Sequence, residues 1–158
     1  MLIVSDDFKF GVLWEVYEQS DDKSWTYGMV RLIIDGEIFP KKTRFNDTIN
    51  VIFHNMKRSF SDPYYPAGNT GIELGDRPVS SKQLRKNRVS NIILIGLGEL
   101  DMCYYVKGYA DLQLYLGYHN DQERLFYSED CGRRYQEIVL RRGTVEGVIA
   151  QLPLDFLL

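Results

Sequence analysis

The chain has 158 residues, of which 44% are apolar and 26% are charged, and its 19 basic and 22 acidic side chains leave a net charge of -3. This length and composition predict one globular domain that buries a hydrophobic core without disulfides or a structural metal. The negative mean hydropathy excludes a membrane protein.

The charge is unevenly distributed along the chain. Residues 1–38 hold 8 acids and 3 bases, residues 39–93 hold 4 acids and 10 bases, and residues 94–158 hold 10 acids and 6 bases. A basic middle between acidic ends has two interpretations. Either the blocks compensate one another in the fold, or one of them is presented to a partner.

The first ten residues and the cysteines indicate the compartment. The stretch MLIVSDDFKF has no basic leader and too short an apolar run for a signal peptide or a membrane span. Cys103 and Cys131 are the two cysteines, and they have no partners at metal-ligand spacing. We therefore expect a cytoplasmic protein in which both thiols are reduced and unlinked.

The first part of the chain reads as antiparallel strands. In FKFGVLWEVYE, residues 8–18, every second residue is apolar, which is typical of a half-buried strand with Phe8 on its core face. The polar SDDKS then turns the chain into WTYGMVRLII, and Asp35-Gly36 predicts a type I′ turn that pairs Ile33 with Ile38. Trp25 and Tyr27 begin the middle strand, either as sheet scaffold or as a surface that a partner contacts.

A helix and a long loop follow. In FNDTINVIFHNMKRSF, apolar residues recur at spacings of three and four, which predicts an amphipathic helix over residues 48–60, with Asn46 or Asp47 as its N-cap. Residues 61–91 hold three of the five prolines and three glycines, so they predict a long internal loop, in which SSKQLRKN has the pattern of one short helix.

The C-terminal part returns to strands that form a meander, with Leu116 opposite Leu125. The final RGTVEGVIAQL predicts a short helix that is capped by Thr144 and ends before Pro153. About eight strands and two or three helices result. The fold class is therefore α+β, a single domain over residues 1–158 that is mainly an antiparallel sheet.

Catalytic motifs are scarce in the sequence. It has no Walker-type phosphate loop, no GxSxG elbow and no HExxH pair. His54 lies on the predicted helix and His119 in a turn, so neither suggests a catalytic base. The stretch GLGELD, residues 96–101, is a candidate ligand cradle, although a glycine pair after a strand is usually a turn or bulge. We expect no enzymatic activity, no cofactor and no metal.

A second class of function is nucleic-acid binding. The basic 77–88 segment contains Lys82, Arg85, Lys86 and Arg88, which suit phosphate, and aromatic side chains that stack on bases are available nearby. The sequence pI of about 5.4 argues against a general polyanion binder. A small nucleic-acid-binding module is therefore the alternative hypothesis.

The order of these features resembles a known family. The opening DDFKFGVLWEV, the strand WTYGMVRLIIDGEIFP, the amphipathic helix, the GLGE strand end and the closing VLRRGTVEGVIAQL resemble the immunity protein 42 family of bacterial toxin systems. The resemblance implies a cytoplasmic, non-catalytic inhibitor that binds the C-terminal toxin domain of its own locus or of a sibling cell. It implies no membrane partner and no direct nucleic-acid partner, and it is compatible with a nuclease toxin delivered by contact-dependent inhibition.

Contact residues for such a toxin follow from charge and exposure rather than from the family. Nuclease toxins need basic surfaces, so complementary acids on the inhibitor speed association. The candidate acids lie in the predicted turns of the C-terminal meander, where they are expected to form one negative edge: Asp121, Glu123, Glu129 and Asp130. The candidate aromatic anchors are Tyr64 and Tyr65, in the long loop, and the Trp25–Tyr27 strand with its SDDKS loop is the next candidate.

Overall fold

A computed structural model describes residues 1–41, 46–61, 73–101 and 112–155 of the chain. Within these residues the chain forms nine strands, three α-helices and one 3₁₀ helix over Gly98–Asp101. The strands are β1 Leu2–Val4, β2 Phe10–Gln19, β3 Thr26–Ile34, β4 Glu37–Phe39, β5 Asp47–Thr48, β6 Ile93–Ile95, β7 Gln113–His119, β8 Gln122–Ser128 and β9 Gln136–Arg141. The helices are α1 Ile49–Arg58, α2 Ser81–Arg85 and α3 Thr144–Ala150. The predicted α+β class is confirmed.

The first sheet has the strand order β1-β2-β3-β4, with the short β5 also paired to β3, and all of its pairings are antiparallel. Asp35 and Gly36 have φ values of 51° and 80°, as a type I′ turn requires, and Ile33 lies opposite Ile38 as predicted. The strand β2 begins later than predicted. Phe8 has a φ of 58° and is 67% exposed, because it lies in the β1–β2 turn rather than on the core face.

The second sheet is the antiparallel meander β6-β7-β8-β9, and the predicted pairing of Leu116 with Leu125 is confirmed. The inner faces of the two sheets share one core with α1 and α3. The apolar stripe of α1 is buried as predicted, and its Phe53 ring meets the Trp14 ring edge-on with the centroids 5.3 Å apart. The buried stripe consists of Ile49, Ile52, Phe53 and Met56.

The described part of the predicted loop packs against the outer face of the second sheet. Leu74, Leu84 and Ile92 bury themselves on Phe126 in a second, smaller core. The predicted short helix is α2, which begins with a capping box between Ser80 and Gln83. The described part of the loop therefore covers the outer face of the second sheet. Its apolar residues are few, but they pack together against that face.

A buried arginine holds this cover in place. Arg124 is 8% exposed, and its guanidinium donates to the carbonyl oxygens of Gly75 and Arg77 at 2.9 and 2.8 Å. The Glu137 carboxylate pairs with the same guanidinium at 2.5 Å. The buried charge is therefore both neutralised and hydrogen-bonded, as burial of a cation requires.

Gly28 gives the clearest steric test of this fold. A Cβ at this position would lie 1.9 Å from the Glu15 carbonyl oxygen, a backbone atom that has no room to move. We expect Gly28→Ala to destabilise the protein by about 2–3 kcal/mol, as overpacking does. Chemical denaturation measures the change.

Gly147→Ala is the matched control for that experiment. Gly147 lies in α3 and a Cβ there meets nothing within 4 Å, so alanine should instead stabilise the protein by up to about 1 kcal/mol through helix propensity. Equal effects of the two substitutions would contradict the close approach of β2 and β3 at Gly28.

Candidate functional site

The four predicted acids do not form one edge. Asp121 lies in the β7–β8 turn, whereas Glu129 and Asp130 lie in the β8–β9 turn, and the seven residues of β8 separate the two turns. At roughly 3.4 Å per residue, the turns are about 20 Å apart. The prediction of a single acidic edge is wrong because consecutive turns of a meander lie at opposite ends of the sheet.

The expectation that Glu123 faces solvent is also wrong. Its side chain lies on the inner face of β8 and is 0% exposed. The carboxylate accepts the backbone N–H groups of Gly143 and Val145 at 2.9 and 2.7 Å, so it caps the N-terminus of α3. The predicted cap Thr144 points elsewhere, and its hydroxyl donates to the Arg141 carbonyl oxygen.

The other predicted contact residues are distributed as follows. Asp121 and Glu129 are exposed. Asp130 is half-buried and stabilises its own turn, because its carboxylate accepts the Ser128 hydroxyl and the Arg134 N–H at 2.8 and 2.9 Å. Tyr64 and Tyr65 lie outside the described residues, as does Cys103. A toxin-binding role of the exposed acids and of these tyrosines stays a prediction, and so does the unlinked state of the cysteines.

The GLGELD stretch has a structural role at the start of α1. The Glu99 carboxylate accepts the backbone N–H and the hydroxyl of Thr48, the N-cap of α1, at 3.2 and 2.6 Å. Asp101 accepts the Leu97 N–H at 3.1 Å, and burial raises the pKa of this carboxyl above its ordinary value. The N-cap residue of α1 is therefore Thr48, which Glu99 holds in place, rather than Asn46 or Asp47 as expected.

The outer face of the first sheet carries exposed aromatic side chains. Strand alternation places Trp25, Tyr27 and Met29 on the side that faces away from the core. A bulge in β2 between Val16 and Glu18 sets two residues of that strand against Tyr27. We call the resulting group of five side chains the aromatic face: Glu15, Tyr17, Glu18, Trp25 and Tyr27.

The backbone around Trp25 is held rigidly although its indole is 47% exposed. Ser20 and Trp25 close the β2–β3 loop, because the Ser20 N–H donates to the Trp25 carbonyl oxygen at 2.9 Å and the Trp25 N–H donates to the Ser20 hydroxyl at 3.0 Å. The Asn50 side chain of α1 binds the Ser24 carbonyl oxygen and the Thr26 N–H on either side. An exposed aromatic ring on a fixed backbone is a preorganised contact.

Carboxylates surround the aromatic face. Glu15 accepts the Tyr17 hydroxyl at 3.3 Å, and Tyr17 itself is 47% exposed. In the adjoining loop, hydrogen bonds from the Ser20 hydroxyl and from the hydroxyl and N–H of Ser24 lower the pKa of Asp22 to about 2. Asp22 therefore stays negative at every physiological pH.

The rest of this sheet face is apolar except for Arg31, which lies opposite Leu13. Leu2 is 50% exposed, Ile38 is 40% exposed, and Leu13 and Ile33 between them are half-buried. A partly exposed apolar surface with aromatic anchors and a charged border is typical of protein–protein interfaces. The sequence signal for it was the WTYG stretch, which we ranked below the C-terminal acids.

The basic 77–88 segment lies on the opposite side of the protein, over the second sheet. Lys82, Arg85, Lys86 and Arg88 are all exposed on or beside α2. The exposed bases around α2 and the aromatic face of the first sheet are therefore separate surfaces. Nucleic-acid binding by the basic surface stays an alternative hypothesis.

Metal binding and membrane insertion find no support in the described residues. No group of three or more His, Cys, Asp or Glu side chains among them is placed to hold a metal ion. No helix in this part of the chain is both long enough and apolar enough to span a membrane.

The two-sheet scaffold and its exposed aromatic face define the class of protein as a small antiparallel α+β domain. The chain belongs to the immunity protein 42 family, whose model matches residues 1–154. Its fold is similar to the crystal structure of CdiI from Burkholderia dolosa AUO158, with a TM-score of 0.62 and 13% sequence identity over 95% of this chain and 96% of that chain. None of the curated proteins matches the chain.

Because Glu123 is buried and Asp121 is exposed, charge reversal at these two positions should affect stability very differently. Glu123→Lys removes the cap of α3 and buries an unpaired cation, so we expect it to cost more than about 3 kcal/mol of stability. Asp121→Lys, in the exposed turn two residues earlier, should stay within about 0.5 kcal/mol of the wild type. Thermal unfolding followed by circular dichroism measures both, and similar melting temperatures would contradict the buried position of Glu123.

The buried carboxyl also predicts a pH dependence. Burial raises the pKa of Glu123 above its ordinary value of 4.5, although hydrogen bonds from Val145 and Gly143 oppose the shift. A group whose pKa is raised by folding contributes most stability below its unfolded pKa and loses that contribution as pH rises through the folded pKa. The stability of the wild type relative to Glu123→Gln should therefore be greatest below about pH 4.5 and decrease above it. Urea unfolding of both proteins across this range is the measurement, and a constant difference would contradict the shift.

Proposed function

We propose that this protein is a cytoplasmic immunity protein that binds a cognate bacterial toxin domain and neutralises it. Membership of the immunity protein 42 family is the observation that carries the proposal. The similarity in fold to CdiI supports a toxin of the contact-dependent inhibition type. The protein acts by occupying the toxin and has no catalytic activity of its own.

The toxin binds the aromatic face. Trp25 and Tyr17 are the exposed anchors, and Glu15 and Glu18 lie among them on the same side of the sheet. Tight interfaces concentrate their binding energy in a few buried aromatic residues ringed by polar groups. Because the Trp25 backbone is already fixed in the free protein, binding loses little conformational entropy there.

The charge of this surface selects a basic partner. Residues 1–38, which build most of the first sheet and its loops, carry 8 acids and 3 bases. Complementary charge accelerates encounter, which matters for an inhibitor that must intercept a toxin on entry into a cell. A nuclease is the toxin activity that this charge favours, because a nuclease must bind a polyanion with a basic surface.

Co-expression tests the proposed function directly. The toxin domain encoded next to this gene should arrest growth when produced alone, and the immunity protein should restore growth and co-purify with the toxin. A toxin from another locus is the control and should not be neutralised. Growth arrest that persists in the presence of the immunity protein would contradict the proposal, and purification with nucleic acid instead of the toxin would favour the alternative.

Substitution of Trp25 tests the binding surface separately from the function. We expect Trp25→Ala to leave the fold intact and to weaken toxin binding by about 2 kcal/mol, or roughly 30-fold, mainly through faster dissociation. Phe8→Ala is the matched control, because Phe8 is an exposed aromatic at the far end of β2. Surface plasmon resonance gives both rate constants, and equal values for Trp25→Ala and the wild type would place the interface elsewhere.

Reversal of the acids should act on a different rate constant. Replacement of both Glu15 and Glu18 by lysine should slow association at low salt, and the defect should shrink as salt screens the charges. The same substitution at Glu129, which is exposed at an end of the second sheet, is the control. A salt-independent defect would show that the carboxylates make contacts rather than steer the toxin.

A further inference from the structure

Among the strands that the structure describes, β9 forms an edge of the second sheet and pairs only with β8. The N–H of Arg142, just after β9, donates to the Asp121 carbonyl oxygen at 2.9 Å and so points towards β8. Backbone groups point alternately to the two sides of a strand. The N–H and C=O groups of Glu137, Val139 and Arg141 therefore point away from the sheet.

These outward groups are available for pairing. Within the described ranges, no N–H of these three residues has a partner, and of their carbonyl oxygens only that of Arg141 accepts a bond, from the Thr144 hydroxyl at 2.6 Å. Val139 is 46% exposed and Ile138 is half-buried, so the centre of the edge is apolar as well as unpaired, between the exposed Glu137 and Arg141. An open apolar edge of this kind is a template for another strand.

The side chains of β9 are complementary to those of a second β9. In an antiparallel pair centred on Val139, each Val139 lies opposite its copy, Ile138 lies opposite Leu140, and Glu137 lies opposite Arg141. Glu137 forms an ion pair with Arg124, and Arg141 is exposed. One surface thus provides both members of two ion pairs and an apolar centre, which is the self-complementarity that a two-fold interface requires.

We propose that the protein forms a homodimer by antiparallel pairing of β9 with β9 of a second copy, which joins the two second sheets into one eight-stranded sheet. The register places the two-fold axis at Val139. Four of the six possible backbone hydrogen bonds use groups that have no partner among the described residues, and the other two need a second bond to the Arg141 carbonyl oxygen. This surface is separate from the aromatic face, so the inference does not rest on the proposed function.

Amide hydrogen exchange followed by NMR tests the register. In dilute protein the outward amides of Glu137, Val139 and Arg141 should exchange quickly, whereas those of Ile138 and Leu140 are protected by β8. As the concentration rises, protection should appear at the three outward amides alone. Sedimentation velocity should show a mass approaching twice that of the monomer over the same range. If the protein is still monomeric at about 1 mM, the dimer dissociation constant would be far too high for a specific interface. That result would overturn the proposal.

Substitutions at Val139 and Arg141 test whether the β9 edge forms the dimer. Val139→Pro removes an N–H that β8 does not use, so the fold should persist while the dimer dissociation constant rises at least about tenfold. Val139→Ala keeps both backbone groups and should have a smaller effect. Arg141→Glu, at an exposed position, sets like charges opposite each other and should weaken the dimer most at low salt. A dimer that survives both Val139→Pro and Arg141→Glu would form through another surface and would refute the pairing.

Discussion

The helix α1 is the element through which the shared core, the segment after β6 and the proposed toxin contact are connected. Its apolar stripe is fully buried in the core that the two sheets share, and it packs against β3 and α3. Its N-cap Thr48 is tied to Glu99, and beyond its last turn the Ser59 hydroxyl accepts the Gly96 N–H at 2.7 Å. On its exposed side, Asn50 fixes the backbone on both sides of Trp25. A change in the position of α1 would therefore move the core, the second sheet and the proposed toxin contact together.

The buried charged groups share one structural role: each caps a helix or attaches one segment of the backbone to another. Glu123 caps α3, and Asp47 accepts the Val30 N–H at 2.9 Å beside the first sheet. Arg124 attaches the 75–77 backbone to the second sheet. Each of these charges is hydrogen-bonded where it is buried, which is what makes its desolvation tolerable. None of them is available to a partner, so recognition depends on the exposed side chains.

Local patterns predicted the parts of the fold that depend on neighbouring residues. The Asp35-Gly36 turn, the pairing of Ile33 with Ile38 and the buried stripe of α1 follow from turn chemistry and periodicity, and all were confirmed. The same reasoning gave a wrong prediction for Glu123, which is buried rather than exposed. The sequence around a turn gives no sign that a helix about twenty residues later will place its first N–H groups against that carboxylate. The same limit misassigned the cap of α3, which comes from Glu123 rather than from Thr144 next to the helix.

The sequence by itself determined the α+β class, the antiparallel hairpins and the position of α1, because these depend on spacing and composition over short stretches. Only the tertiary structure decided which charges are exposed, that the β8 acids lie at opposite ends of a strand, and that the 73–92 segment covers a sheet. It also decided that Trp25 stands exposed on a fixed backbone. The physical reason is that burial and hydrogen bonding of a side chain depend on residues distant in sequence, whose approach is set by packing of the whole core.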